Sequence, residues 1–511
     1  SNPSTSNGIF VYLGERTNIV STADFIEVSG TVSEYYGLTE ISADPANVKL
    51  LSKANPLPPA VELNPPFGNA LSRAYLETLE GMLVQLPTAR VVGPTDSRSE
   101  TWVIRDDLGL ERVFQDDPLG TGEVVCVGED GHYKIDPPAR VGDHIQNITG
   151  VLGFSLGTYR IALLEQPSLI PGNIPSLDTV DDSEPEFTFA SFNFNNLFDT
   201  VDDPAKDDPV LGNTEYHRKL DKLALTLHHE LGEPTILAVQ EVENDTVLKH
   251  LLAREVIKSD YGIAWIDSPD NRGIDNALIY RLDKVTLLGF EGRQGCTSLV
   301  DGFGPDGNRD VHNPQNSITC DISGDGVLDG NRLFSRPPLV VQLQVTLEDG
   351  EPLPLWVITN HWKSKREDTY YQAYTLPRRL EQAKFVAALT DEILMAKPWT
   401  NLIVLGDLND FPNSQTLGRL TQTWLRDLTA NIPRPSRYTY IYQGISQVLD
   451  YALVSPALSM YQLIPESIHL NADFPSIYQD EETTTYRSSD HDPVIVKFAL
   501  WAHKVYLPMI R

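Results

Sequence analysis

Six apolar, β-rich runs between residues 187 and 499 each meet a carboxamide, a carboxylate or an imidazole at one end. The run from Phe187 to Phe194 carries Asn193 and is followed by Asn195, and Thr235–Gln240 is followed by Glu241. Asn360 and His361 follow Trp-Val-Ile-Thr, and Asp407 and Asn409 follow Ile-Val-Leu-Gly. Asp450 opens Asp-Tyr-Ala-Leu-Val, and Asp490 and His491 stand just before Asp492-Pro-Val-Ile-Val. Two helical periodicities separate these runs. Glu215–Leu231 places Leu220, Leu223, Ala224, Leu227 and Leu231 on one face, and about 379–396 carries Phe385, Leu389 and Ile393. Buried strands mixed with amphipathic helices predict an α/β layered domain, and polar strand ends predict a site along one sheet edge.

Residues 1–165 read differently, as an all-β domain. Short β-rich runs such as Asp24–Thr31, Leu83–Leu86, Glu100–Ile104 and Tyr159–Leu164 alternate with Gly and Pro turns. A proline-rich connector at 54–66 interrupts them, and a small barrel of OB-like type suits the strand count. Residues 166–186 have linker composition, with Pro167, Pro171, Pro175 and Pro185 among acids. The catalytic-type domain is expected over 187–500, and 501–511 as a final strand or tail.

No run of eighteen apolar residues is present, so no membrane span is expected. The formal charge is −31, from 71 acids against 40 bases. Such a chain does not gather polyphosphate by long-range attraction, which argues mildly against tight binding of nucleic acid, though a fast scavenging enzyme need not bind tightly. Acidity of this kind suits solubility or an extracellular habitat, and leaves carboxylates for cation sites. The three cysteines form no CxxC pair, which argues against a thiolate zinc site, and Cys296 and Cys320 are near enough to pair in an exported protein. Asp321-Ile-Ser323-Gly-Asp325-Gly-Val-Leu-Asp329 resembles part of a Ca²⁺ loop, but Arg332 stands where the twelfth-position Glu belongs, and a polar surface loop is the plainer reading.

The ordered series Ser191-Phe-Asn193-Phe-Asn195, Gln240-Glu241, Asn360-His361, Gly406-Asp407-Leu-Asn409, Leu449-Asp450 and Ser489-Asp490-His491-Asp-Pro resembles the endonuclease/exonuclease/phosphatase (DNase I-like) superfamily. The resemblance implies a four-layer α/β sandwich: two mixed sheets face to face with helices outside. His361-Trp-Lys363-Ser-Lys365, Tyr438-Thr-Tyr440 and Asn471-Ala-Asp473 are similar to large secreted bacterial nucleases, in which an OB-like region precedes the catalytic domain.

Phosphodiester hydrolysis needs an activated water, charge stabilisation at the phosphoryl oxygens and help for the leaving oxygen. The resemblance implies Glu241 as principal ligand of Mg²⁺ or Mn²⁺, with Asn193 and Asp490, and oxygen ligands suit these hard cations. It implies His491 as general base or, when protonated, phosphate contact, oriented by Asp450 or another acid, and His361 as general acid. Asp407 and Asn409 would meet the scissile phosphate, with Asn195, Asn360, Lys363 and Lys365 as substrate contacts. The function expected is that of a secreted metal-dependent nuclease, with nucleic acid as substrate and no obligate protein partner. The alternatives are the same chemistry on lipid or inositol phosphates, and a binding protein on a dead scaffold; the retention of Glu241, Asp407 and His491 opposes the latter.

Overall fold

Two compact units emerge from the computed structural model, which describes residues 5–14, 19–128, 133–173, 186–299, 319–369 and 372–499. One comprises Ser1–Ser176 with Ile441–Ser446 and Asp473–Ile477; the other comprises Leu177–Tyr440, Gln447–Ala472 and Tyr478–Arg511.

The first unit is mostly β. Strands Leu83–Gly93, Thr101–Arg105, Val125–Val127, Thr158–Leu163 and His144–Ser155 hydrogen-bond in that order, and the last pairs back onto the first. The ring is therefore a closed five-stranded barrel filled by Val84, Leu86, Val91, Val103, Ile145, Leu152 and Ile161. Closure leaves those strands no free edge in the ring. Two expectations need correction. A helix, Asn69–Glu77, follows the proline-rich connector, with Leu76 on its buried side. Within the stretch expected as linker, Ser168–Ile170 is a strand paired with His144–Gln146, because Leu169 finds apolar cover against the barrel. Residues 501–511 lie outside the described residues.

The second unit has four layers. One six-stranded sheet runs in the order Tyr261–Trp265, Asp275–Arg281, Ile236–Val242, Phe187–Leu197, Val494–Ala499, Gln462–Ser467. The other runs Val285–Gly292, Leu339–Thr346, Pro352–His361, Leu402–Asp407, Asp450–Val454, Arg426–Asp427. Between them lies a core of Phe187, Phe189, Ala238, Leu278, Leu339, Val357, Leu405 and Ala452. The outer face of the first sheet packs Phe192, Leu237 and Val239 against Leu220, Leu223 and Leu248 of helices Asn213–Leu225 and Asp245–Leu252. The outer face of the second packs Ile358, Val404 and Leu453 against Val386, Leu389 and Leu417 of helices Leu376–Ala396 and Gln415–Thr421. Strands covered on both faces must be apolar at nearly every position, which is why they read as unbroken hydrophobic runs.

Each sheet contains one parallel pair at its centre, Phe187–Leu197 with Ile236–Val242 and Pro352–His361 with Leu402–Asp407. A parallel connection needs a crossover, and in both sheets a helix supplies it. All four strands therefore end at the same edge of their sheet. Cys296 and Cys320 form a disulfide that braces a short hairpin, and Cys126 is free and buried. In the adjoining 321–329 loop, Asp321 accepts from the Gly324 and Gly326 amides and Asp329 from the Ile322 amide. These carboxylates close the loop on itself, as a polar surface loop does, and no Ca²⁺ is proposed there.

Glu233 caps the turn after the first crossover helix. Its carboxylate accepts from the Lys258 and Ser259 amides at 2.8 and 2.7 Å and lies 2.6 Å from His228 Nδ1. Burial would raise this carboxyl, but the bonds from Ser259, His228 and Lys258 outweigh it and hold it at about 2. A carboxylate with a depressed pKa stabilises the fold above its ordinary value of 4.5 and loses that contribution as pH falls towards 2. Glu233→Ala should therefore cost about 1–3 kcal/mol at pH 7, seen as a lower urea midpoint, and the gap to wild type should narrow below pH 4.5. A gap independent of pH would contradict this role.

Candidate active site

Along a strand every second side chain faces the same way. Following the inward positions towards the shared edge, apolar residues give way to polar ones in both sheets. Phe189 is followed by Ser191 and Asn193, Ala238 by Gln240, and Leu278 is preceded by Asn276. Across the core, Val357 is followed by Thr359 and His361, Leu405 by Asp407, and Ala452 is preceded by Asp450. Ser191, Gln240, Asn276 and Thr359 are all buried and form a polar layer beneath the site.

Two bulges then re-aim the strand ends. Pairing between Phe187–Leu197 and Ile236–Val242 shifts register after Asn193 and Gln240, and so does pairing of the latter strand with Asp275–Arg281. Asn195, Asn196 and Glu241 take left-handed φ values of 52°, 59° and 59°. Simple alternation would send Glu241 to the face opposite Gln240. The left-handed residue turns it instead towards the core face, with Oε1 3.8 Å from His361 Nε2.

Asp407 is the hub. Its Oδ2 lies 3.6 Å from His361 Nε2 and 4.0 Å from His491 Nε2, and accepts from Asn193 Nδ2 at 3.3 Å. Its Oδ1 accepts from the Asn409 amide at 2.8 Å. His491 Nδ1 meets Asp450 Oδ2 at 2.7 Å, so Asp450, not the adjacent Asp490, is the acid that orients this histidine. The Tyr440 ring lies 4.7 Å from the His491 ring. Six of the expected residues, Asn193, Glu241, His361, Asp407, Asp450 and His491, thus converge. Asp490 is close enough to act on the charge of both Lys219 and His491.

The side chains of the expected substrate contacts are engaged within the protein. Asn360 donates to the Ile358 and Leu405 carbonyls and accepts from Trp362 Nε1, so its amide ties two strand ends together. The Asn409 side chain donates to the Trp362 carbonyl at 3.1 Å. Asn195 Oδ1 accepts from Asn196 within the bulge. Lys363 is paired with Glu367 at 2.9 Å; Lys365 is paired with Asp410 and lies over the Phe411 ring. An ammonium taken out of water needs an anion, and both lysines find one in the protein.

Three cations outside the expected site residues also stand here. Lys219 donates to the carbonyls of Asn195 and Asn196, the latter at 3.0 Å. Arg272 reaches within 3.7 Å of Glu241. Buried Arg336 joins Asp270 at 2.9 Å to the Trp362 carbonyl at 3.1 Å. Only Arg336 carried a signal, in Arg336-Pro-Pro-Leu ahead of a strand; Lys219 reads as an ordinary polar-face helix residue.

The electrostatics follow from burial and this company. Burial pushes Asp407 up to about 7, with Asp450 and Glu241 adding and His491 opposing. Burial, Arg336 and Arg272 hold His361 well below its ordinary value. Burial also pulls His491 down, but Asp450, Asp407 and Asp490 more than reverse it, and it lies well above its ordinary value. Three acids gathered in a buried site repel one another unless a cation joins them. The donors fit a hard divalent ion: carboxylates, an amide oxygen, and Asp450 Oδ1 buried with no hydrogen-bond partner among the described residues. Asp407, Asp450 and His491 offer ligand atoms within 4.8 Å of one another.

A family model described as the Endonuclease/Exonuclease/phosphatase family matches residues 188–301 and 328–469. The chain belongs to the endonuclease/exonuclease/phosphatase family. Its members are phosphoester hydrolases, and every converging residue named above except His491 lies within the matched span. A second model, described only as a domain of unknown function, matches 61–172 in the barrel unit. No curated protein matches. Solved structures similar to the chain include a mannosyl-6-phosphatase from Bacteroides thetaiotaomicron, at 17% identity over 61% of this chain and 100% of that one, TM-score 0.35. A truncated Caenorhabditis elegans TDP2 has 15% identity over 61% and 97%, TM-score 0.38. The human nocturnin catalytic domain with bound sulfate has 16% identity over 61% and 94%, TM-score 0.36.

Gly406 shows how tightly the family's Gly-Asp block is built into this chain. Its φ is 134°, and a Cβ there would lie 2.0 Å from the Asn360 carbonyl oxygen. Gly406→Ala should lower stability by about 1–3 kcal/mol, read as a fall of several degrees in the melting temperature. An unchanged melting temperature would show that the two strands can part there.

Proposed function

We propose that the chain is a secreted, Mg²⁺- or Mn²⁺-dependent nuclease that hydrolyses phosphodiester bonds of DNA, RNA or both. The observation that carries this reading is the convergence of Glu241, Asn193, Asp407, Asp450 and both histidines at one edge of the sandwich. Glu241 is the proposed principal ligand, with Asn193 and Asp490. Among the described residues it has only long contacts, at 3.7 and 3.8 Å, whereas one oxygen of Asp450, Oδ2, is committed to His491. A cation held there would supply Lewis-acid stabilisation of phosphoryl charge and lower the pKa of water.

This chain's own residues do the rest. Asp450 fixes the His491 ring and leaves Nε2 facing Asp407 as the atom that takes or gives the substrate-side proton, or contacts phosphate when charged. Asp407, held by the Asn409 amide and Asn193, orients the attacking water or the leaving oxygen. His361, wedged between Glu241 and Asp407, is the second proton-transfer group. Arg272 offsets phosphate charge where the net charge of −31 cannot. The five-stranded barrel supports an OB-like reading, and its arginines, such as Arg98, Arg112 and Arg160, are ion-paired within their own unit, which favours a spacer over a nucleic-acid grip. Export accords with the Cys296–Cys320 disulfide.

Supercoiled plasmid, single-stranded RNA and bis-p-nitrophenyl phosphate should be tested with Mg²⁺ and with EDTA. Nicking that EDTA abolishes is the expected outcome. Glu241→Gln should lower the rate by about 100-fold or more, with partial recovery at high Mg²⁺; His491→Asn, which keeps a donor for Asp450, should lose about as much. Cleavage of the small diester alone would move the substrate to lipid or sugar phosphates, and no turnover of any would place a binding protein on this scaffold.

A further inference from the structure

Helix Asn213–Leu225 and the wider turn Thr226–Glu230 that continues it carry a polar stripe at spacing four: Arg218, Lys222, Thr226 and Glu230. Residues four apart share a helix face, and the five-residue turn, closed by the Leu231 amide on the Thr226 carbonyl, keeps Glu230 in line. Every member of the stripe grips one segment, 478–488. Arg218 lies 2.7 Å from Asp480. Lys222 donates to the carbonyls of Tyr478, Glu481 and Thr484 at 2.9, 2.8 and 2.9 Å. Thr226 donates to Ser488 Oγ at 3.0 Å, and Glu230 accepts from Thr485 Oγ1 at 2.7 Å.

Lys222 is only 1% exposed, an unusual position for an ammonium with no carboxylate in direct contact among the described residues. Burial pushes it down to about 8, with Glu481 and Asp480 favouring the charge and Arg218 opposing it. Its three carbonyl partners satisfy all three N–H donors. That is a heavy investment for a surface loop, and the loop leads straight into Ser489-Asp490-His491. Ser489 Oγ donates to the Asn193 carbonyl at 2.6 Å and accepts from the His491 amide at 3.2 Å. On the same helix, Lys219 grips the Asn195–Asn196 bulge just beyond Asn193.

We propose that this helix is a positioning element of the site: Lys222, with Arg218, Thr226 and Glu230, fixes the 478–488 segment and thereby sets Asp490 and His491 against Asn193. The catalytic part of this inference rests on the proposed hydrolysis; the mechanical part does not. Lys222 touches none of the reacting groups. It acts through the segment, so its loss is felt as misplacement, to which catalysis is steeply sensitive.

The test uses the full chain with Lys222→Met, which keeps length and removes charge. Amide hydrogen exchange across 478–494 should quicken about tenfold or more while the Leu402–Asp407 strand stays protected. The kcat for bis-p-nitrophenyl phosphate should fall about 10- to 100-fold with KM changed by less than about threefold. If Lys222→Met does not fold, Thr226→Val decides by the same two readouts. Wild-type exchange in 478–494, or exchange raised throughout the unit with kcat unchanged, would overturn the proposal. If the wild-type chain cleaves no phosphodiester, the functional reading fails and the exchange pattern alone judges the clamp.

Discussion

Period-two alternation along buried strands governs the catalytic unit. Two sheets face each other, and whatever a strand turns inward must fill the space between them. For most of each strand that means Phe, Val, Leu or Ala. At one edge the same inward positions carry Asn193, His361, Asp407 and Asp450, so the proposed catalytic groups stand on backbone continuous with the core that fixes it. The parallel pairs matter here because their helical crossovers bring four strand ends to one edge. Bulges at Asn193–Leu197 and Gln240–Val242 break the alternation only where Glu241 must be turned inward.

The cost of this arrangement is electrostatic. Glu241, Asp407 and Asp450 crowd a largely buried site, and burial lifts Asp407 to about 7. Protein cations answer part of the charge: His491 directly on Asp450, Arg272 near Glu241 and Lys219 behind the Asn195–Asn196 bulge. The remainder suits a divalent ion, which accounts for oxygen donors collecting where a hydrophobic interface would otherwise continue.

The fold of this unit was largely legible because strands buried on both faces and helices with one apolar face leave distinct periodicities. The cluster of candidate site residues was legible in the block order for the same reason: polar residues at strand ends interrupt otherwise apolar runs. What stayed hidden has physical causes. Alternation cannot reveal that Glu241 faces inward, since a left-handed residue reverses it. Adjacency placed Asp490 beside His491 and the family resemblance offered Asp450, and only tertiary contact selected Asp450. Asn360, Lys363 and Lys365 look like substrate contacts in a motif, but their polar atoms are taken by Trp362, Glu367 and Asp410. Lys219 and Lys222 look like ordinary polar-face residues until the segments they grip are seen. In the barrel unit, helix Asn69–Glu77 followed a proline-rich stretch that masked its start.

The proposed hydrolysis depends on a cation held at the strand ends by Glu241. Crystals of the full chain soaked with Mn²⁺ and measured for anomalous scattering test this directly. A peak within coordinating distance of Glu241, with Asn193 or Asp490 beside it, is the result predicted. A peak seated instead among Asp407, Asp450 and His491, with Glu241 turned away towards Arg272, would contradict the assignment.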